Sequence, residues 1–208
     1  ESLGLQIIAT GMHLSPEFGL TYREIERDGF NIDSKVECLT SSDTSVGVVK
    51  TMGLCLVGMA DALAVLKPDM VVLLGDRYEM FASATAALIG RFPIAHISGG
   101  ETTEGAYDEA MRHSITKMAQ LHFVAAEEYM HRVYQLGEHP SSVFLVGGLG
   151  IDNIKKLVLM NRTELEQSLK FHLMERNLLV TFHPATLGEE NSVTQMKELL
   201  DTLSQLQD

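Results

Sequence analysis

Basic residues are scarce in this 208-residue chain: 16 Lys and Arg stand against 28 Asp and Glu, for a net charge of −12. A nucleic-acid surface needs clustered cations to displace the counterions around phosphates, so this balance argues against a polymer partner. One small anion is a lesser demand, met by a few donors and a helix N-terminus. Cysteine is equally thin. Cys38 sits in a strand-like stretch and Cys55 in an apolar helix, and neither has a second Cys or His at metal-ligand spacing. Both are expected as buried packing residues, with no metal and no redox site. The longest apolar stretch, Leu54 to Leu66, carries Gly58 and Asp61 and is too short to span a bilayer. The opening Glu1-Ser2-Leu3-Gly4 has neither an initiator Met nor the basic and apolar regions of a signal peptide. The expectation is a soluble, cytoplasmic protein with no membrane partner.

Three motifs are also missing. There is no Gly-x-Gly-x-x-Gly, no Walker phosphate loop and no Gly-x-Ser-x-Gly elbow. Dinucleotide redox chemistry, ATP hydrolysis and serine-nucleophile hydrolysis each lack their defining element, which counts directly against a Rossmann dehydrogenase.

What is present reads as a folded α/β chain. The composition, 45% hydrophobic and 21% charged, is close to globular averages. Short runs rich in Val, Ile and Leu alternate with segments of helical period, the pattern of a parallel sheet covered by helices. Strands are predicted at Leu5–Ala9, Met70–Leu74, Pro93–Ile97, His122–Ala126, Val143–Val146 and Leu178–Phe182. Asp43 is the predicted cap of a helix running to Leu66, and a helix from Glu127 is predicted to end at Gly137. Residues 1–150 form a Rossmann-like, doubly wound domain in this reading. Residues 151–177 cross over, and 178–208 begin a second domain that one strand and one helix cannot complete.

In open α/β sheets, ligands bind beyond the carboxyl ends of the strands, so polar residues directly after apolar runs are the site candidates. That filter selects His13, Asp76-Arg77, Ser98-Gly99-Gly100-Glu101 and His183. Asp76 with Glu79 could be a helix-capping signature instead, but capping calls neither for Gly75 before it nor for a cation directly after it. The paired glycines allow a ligand close to the backbone, and equally make an ordinary turn. A helix around residues 106–118 puts Met111, Ile115 and Met118 on its buried face. Asp108 and Arg112 are then i,i+4 partners at the border of that face, with Glu109 and His113 pointing away. Such a pair is usually a surface salt bridge, yet acids, a base and an arginine converging on consecutive strand ends suggest catalysis.

Thr10-Gly11-Met12-His13, Leu74-Gly75-Asp76-Arg77-Tyr78-Glu79, His96-Ile97-Ser98-Gly99-Gly100-Glu101, Tyr107-Asp108-Glu109-Ala110-Met111-Arg112-His113-Ser114-Ile115-Thr116-Lys117 and Phe182-His183-Pro184 together resemble the hydrolysing UDP-N-acetylglucosamine 2-epimerases of sialic-acid synthesis. Gly75-Asp76-Arg77 sets the chain apart from the non-hydrolysing branch, which carries Gly-Asp-Thr. The resemblance implies the N-terminal half of a GT-B fold, with a preceding strand and a closing uridine-binding domain outside these residues. It implies elimination of UDP from UDP-GlcNAc to a 2-acetamidoglucal, hydration to N-acetylmannosamine, no cofactor, and a homodimer or homotetramer. It assigns acid/base roles to Asp76, Glu101 and Asp108. Substrate binding would fall to His13, Arg77, Ser98, Gly100, Arg112, His113 and His183. Several family members carry an acid where this chain has Ser98, which keeps UDP-N,N'-diacetylbacillosamine open as the substrate. A rival of another class is a non-catalytic nucleotide-sugar binding module.

Overall fold

The computed structural model describes residues 3–184 and 191–206. The chain divides into two compact units, residues 1–102 with 108–148, and residues 103–107 with 149–208. In the first unit every strand pair is parallel. β1 (Ile8–Thr10) pairs with β2 (Ser34–Val36), while β3 (Val71–Leu74), β4 (Ile94–Ile97), β5 (Leu121–Val124) and β6 (Val143–Leu145) form one sheet in that order. Between them run α1 (Tyr22–Arg27), α2 (Ser45–Leu66), α3 (Tyr78–Gly90), α4 (Asp108–Met118) and α5 (Glu127–Gln135). This is the α/β architecture expected of runs too short and too apolar for antiparallel strands with a wet face. Five predicted strands are present with shifted ends, since a strand's limits are set by where its ladder begins. β2, anticipated only as a strand-like stretch near Cys38, stops two residues before that cysteine.

The core lies where α2, α3 and α4 meet β2, β3 and β4. Val36, Cys55, Met59, Leu63, Leu73, Ala84, Ala87, Ile94 and Ile115 form one buried cluster. Small residues let the layers close up: Ala82, Ala84, Ala86 and Ala87 of α3 are buried in this cluster, and at Gly58 a Cβ would stand 2.5 Å from Val36 Cγ1. α2 is 22 residues long with a mean hydropathy of 1.7 over an 18-residue window, so its length and composition alone would suit a membrane span. The apolar segment is therefore longer than Leu54–Leu66. Its packed stripe, Thr51, Cys55, Met59, Ala62 and Leu63, faces the core just described.

Two expectations are corrected. α2 is capped by Thr44, whose hydroxyl accepts from the Gly47 amide at 3.1 Å, and not by Asp43. The hydroxyl one residue nearer the first turn reaches the free N–H, whereas the carboxylate starts too early. Leu178–Phe182 forms no strand among the described residues, and Leu178 and Leu179 are exposed. Apolar β-formers become a strand only where another strand supplies a ladder, and none pairs with them. The second unit instead holds α6 (Leu149–Lys156), α7 (Arg162–Leu169) and α8 (Ser192–Ser204), none of which buries a residue fully. α7 opens with a reciprocal capping box between Asn161 and Glu164.

Ile115 is fully buried where α4 meets the core. Ile115→Ala is expected to lower stability by about 2–5 kcal/mol, read from the urea midpoint at unchanged slope. A loss below about 0.5 kcal/mol, the range of surface substitutions, would place α4 outside the folded core.

Candidate active site

β3 and β4 run side by side with Leu74 opposite Ile97, so Gly75 and Ser98 leave the sheet together at its carboxyl edge. Gly75 turns the chain with φ +79, and Asp76 follows. The next residue, Arg77, is the N-cap of α3 and makes no side-chain cap, which removes Asp76 from a capping role. The Asp76 carboxylate instead forms an ion pair with the Arg112 guanidinium, whose other arm donates to the Glu101 carbonyl at 2.8 Å. The Arg112 side chain is only 6% exposed and that of Asp76 21%. A pair this sheltered is screened little by salt and leaves a strong uncompensated charge if one partner is removed.

The loop from Ser98 to Glu101 is bound to the same centre. Ser98 adopts φ +66, and its amide donates to the Phe123 carbonyl at 2.9 Å, carrying the β4–β5 ladder one step beyond the strand. Gly100 has φ +80, and a Cβ there would lie 2.4 Å from the Tyr129 carbonyl oxygen. Any other residue would be strained and would push the loop off α5. The Arg132 guanidinium of α5 donates to the Gly100 carbonyl. Two arginines from two helices thus grip consecutive carbonyls of this loop.

The remaining candidates disperse. Arg112 makes its ion pair across the sheet edge with Asp76, and Asp108 makes no ion pair among the described residues, so the expected pairing along α4 is replaced. The longer reach to β3 wins because Arg112 points into the fold while Asp108 stays at its border. His113 is half-buried, 3.6 Å from Glu109, and lines a cleft with Phe81, Lys117, Met118 and Leu136 that none of Asp76, Glu101 or Arg112 lines. His13 is exposed on a 3₁₀ turn and shares a hydrogen bond of 2.8 Å with Thr21. Arg77 forks onto Glu79 at 3.1 and 3.3 Å. His183 belongs to the second unit and is exposed.

Sequence reasoning gave no site role to three residues around this centre: Glu79, His96 and Arg132. Glu79 is buried, and its carboxylate fills the space beside Gly11. His96 and His122, opposite one another on β4 and β5, are both fully buried. Burial pushes the His96 imidazole down to about 4, and burial likewise lowers His122 against the opposing pull of Glu138, 3.2 Å from its Nε2. The available signal was a polar residue inside an otherwise apolar strand, because such a residue must find partners indoors.

The family profile described as UDP-N-acetylglucosamine 2-epimerase matches residues 1–208. The chain is 47% identical over 206 residues to the GDP/UDP-N,N'-diacetylbacillosamine 2-epimerase (hydrolyzing) of Campylobacter jejuni, covering 99% of this chain and 53% of that protein. It is 43% identical over 201 residues to polysialic acid biosynthesis protein P7 of Escherichia coli, covering 96% and 51%. The chain thus spans about half the length of the curated relatives it matches. The crystal structure of UDP-GlcNAc 2-epimerase from Neisseria meningitidis bound to UDP-GlcNAc shares the fold with a TM-score of 0.61 at 20% identity, over 79% of this chain and 46% of that one.

The buried neutral histidines make stability pH-dependent in a defined direction. Below 6.5 the unfolded chain takes up protons that His96 refuses down to about 4, so stability is complete above that window and falls with acidification. The slope is at most about 1.4 kcal/mol per pH unit for each such histidine. Urea midpoints across the upper part of this range, where carboxylates are still ionised, should fall, and His96→Gln should flatten the trend. A flat wild-type profile would show that His96 is protonated in the fold.

Proposed function

The chain belongs to the UDP-N-acetylglucosamine 2-epimerase family, and from that premise we propose that the full-length protein is a hydrolysing 2-epimerase acting on UDP-N-acetylglucosamine. The observation that carries the proposal is the closure of Asp76, Arg112 and the Glu101 loop around one point at the carboxyl edge of the sheet. Open α/β sheets bind ligands at this edge.

The reaction removes the C2 proton and breaks the bond from C1 to the UDP oxygen, leaving a 2-acetamidoglucal to which water adds. The proton at C2 is weakly acidic, so a carboxylate must be poised against it while positive charge offsets what develops on the leaving diphosphate. Asp76 is engaged with Arg112 and acts in this reading by fixing that cation. Glu101 and Asp108, which make no ion pair among the described residues, supply the base and the acid. The loop carbonyls are held by Arg112 and Arg132, so the Glu101 side chain is presented from a backbone that does not have to reorganise.

A second reading concerns the sugar alone. The name of the 47% identical relative from Campylobacter jejuni favours UDP-N,N'-diacetylbacillosamine, and the same elimination and hydration would apply to it.

The test is proton NMR of each UDP-sugar with full-length protein in D2O, beside Asp76→Asn and Glu101→Gln. Expected from UDP-GlcNAc are free UDP and N-acetylmannosamine deuterated at C2. The Glu101→Gln rate should be reduced by about 10²–10⁴-fold, the range of a lost acid/base group, and the Asp76→Asn rate by about 10²-fold through misplacement of Arg112. Turnover of the bacillosamine sugar alone would replace the substrate assignment, and no turnover of either sugar by folded protein would end the epimerase reading. Undiminished rates in Glu101→Gln would remove Glu101 from the chemistry.

A further inference from the structure

We propose that His96 is a positioning residue for the Asp76–Arg112 pair, holding the strand that carries the acid and the helix that carries the arginine through its two ring nitrogens. This rests on the function proposed above, and deepens it.

His96 is wholly inaccessible and lies on β4, between the elements that bring the pair together. Its Nε2 is 2.8 Å from the Gly75 carbonyl, the peptide oxygen directly before Asp76. A carbonyl only accepts, so Nε2 carries the hydrogen. Its Nδ1 lies 3.1 Å from Thr116 Oγ1, and that hydroxyl lies 3.1 Å from the Arg112 carbonyl one turn earlier in α4. With the ring neutral, Nδ1 is an acceptor, and the single hydroxyl proton of Thr116 is shared between Nδ1 and the Arg112 carbonyl. One imidazole therefore ties the peptide preceding the acid to the helical turn bearing the arginine.

Gly99 completes the arrangement. A Cβ at this position would be 3.0 Å from Thr116 Oγ1 and 3.1 Å from His96 Nδ1, so the loop that carries Glu101 lies directly over the clamp. No part of His96 reaches the surface, so it cannot touch a substrate. Its effect must pass through the placement of Asp76 and Arg112, and displacements near 1 Å in such groups are enough to cost about 100-fold in rate.

The two hydrogen bonds can be separated by substitution. In His96→Gln the amide nitrogen reaches the place of Nε2 and keeps the bond to Gly75. In His96→Asn the shorter side chain keeps a polar atom near Nδ1 and loses the bond to Gly75. On full-length protein each variant cuts one of the two ties, so UDP release should fall in both. The fall should be about 10- to 100-fold in kcat, with KM nearly unchanged, in His96→Gln and His96→Asn alike. The Arg112 guanidinium resonance, assigned by NMR on folded protein, should move in both variants, in one through the helix that bears it and in the other through its partner Asp76.

A wild-type kcat in either variant, losses that simply follow Tm, or an Arg112 resonance unmoved in either variant would overturn the proposal. Should wild type release UDP from neither sugar, the epimerase reading fails on its own. The guanidinium resonance then still decides whether His96 positions the pair.

Discussion

The site depends on one buried ion pair. Taking a carboxylate and a guanidinium out of water is costly, and the cost is met only when both find charge and further hydrogen bonds in the interior. Asp76 and Arg112 satisfy each other, and the second arm of Arg112 takes up the Glu101 carbonyl. The pair thereby joins three elements far apart in sequence: the exit of β3, the loop after β4 and the second turn of α4. It forms only because β3 and β4 are parallel neighbours in a register that ends both at the same edge.

The loop between β4 and α4 is held by its backbone. Gly100 approaches the Tyr129 carbonyl more closely than any side chain would permit, and Arg132 and Arg112 take successive carbonyl groups. Fixing the main chain in this way leaves the Glu101 side chain available at the edge. Ser98 takes a left-handed conformation in the same loop. Whatever stands there is placed by the β4–β5 ladder, since its amide extends that ladder to Phe123.

The interior beneath the site is polar by design of the same elements. His96, His122, Thr51, Thr116 and Glu79 are all buried, and Thr10 Oγ1 lies 3.4 and 3.7 Å from the sulfurs of Cys38 and Cys55. Buried polar groups are stable where they find partners, as His96 does with Gly75 and Thr116, Thr51 with Thr40 and Thr10 with Val36, and such bonds fix relative positions that apolar packing alone would leave looser. The two cysteines are buried in the hydrophobic core cluster, as expected of packing residues, and their sulfurs also meet the Thr10 hydroxyl.

Much of this was legible from the chain. Apolar runs of four to five residues alternating with helical segments determined a parallel α/β fold. Polar residues directly after those runs picked out Asp76 and the Ser98–Glu101 loop, because parallel strands end at a common edge. Periodicity also put Ile115 on the inner face of α4. It did not reveal the partner of Arg112: spacing along a helix offers Asp108, while the pair with Asp76 spans 36 residues and exists only once β3 and β4 are in register. The same holds for Leu178–Phe182, whose composition suits a strand but whose state depends on a ladder partner. Local pattern is written in the order of residues and can be read from it. Pairing, capping geometry and the hydrogen bonds of a buried histidine are relations between distant segments, and only the folded arrangement decides them.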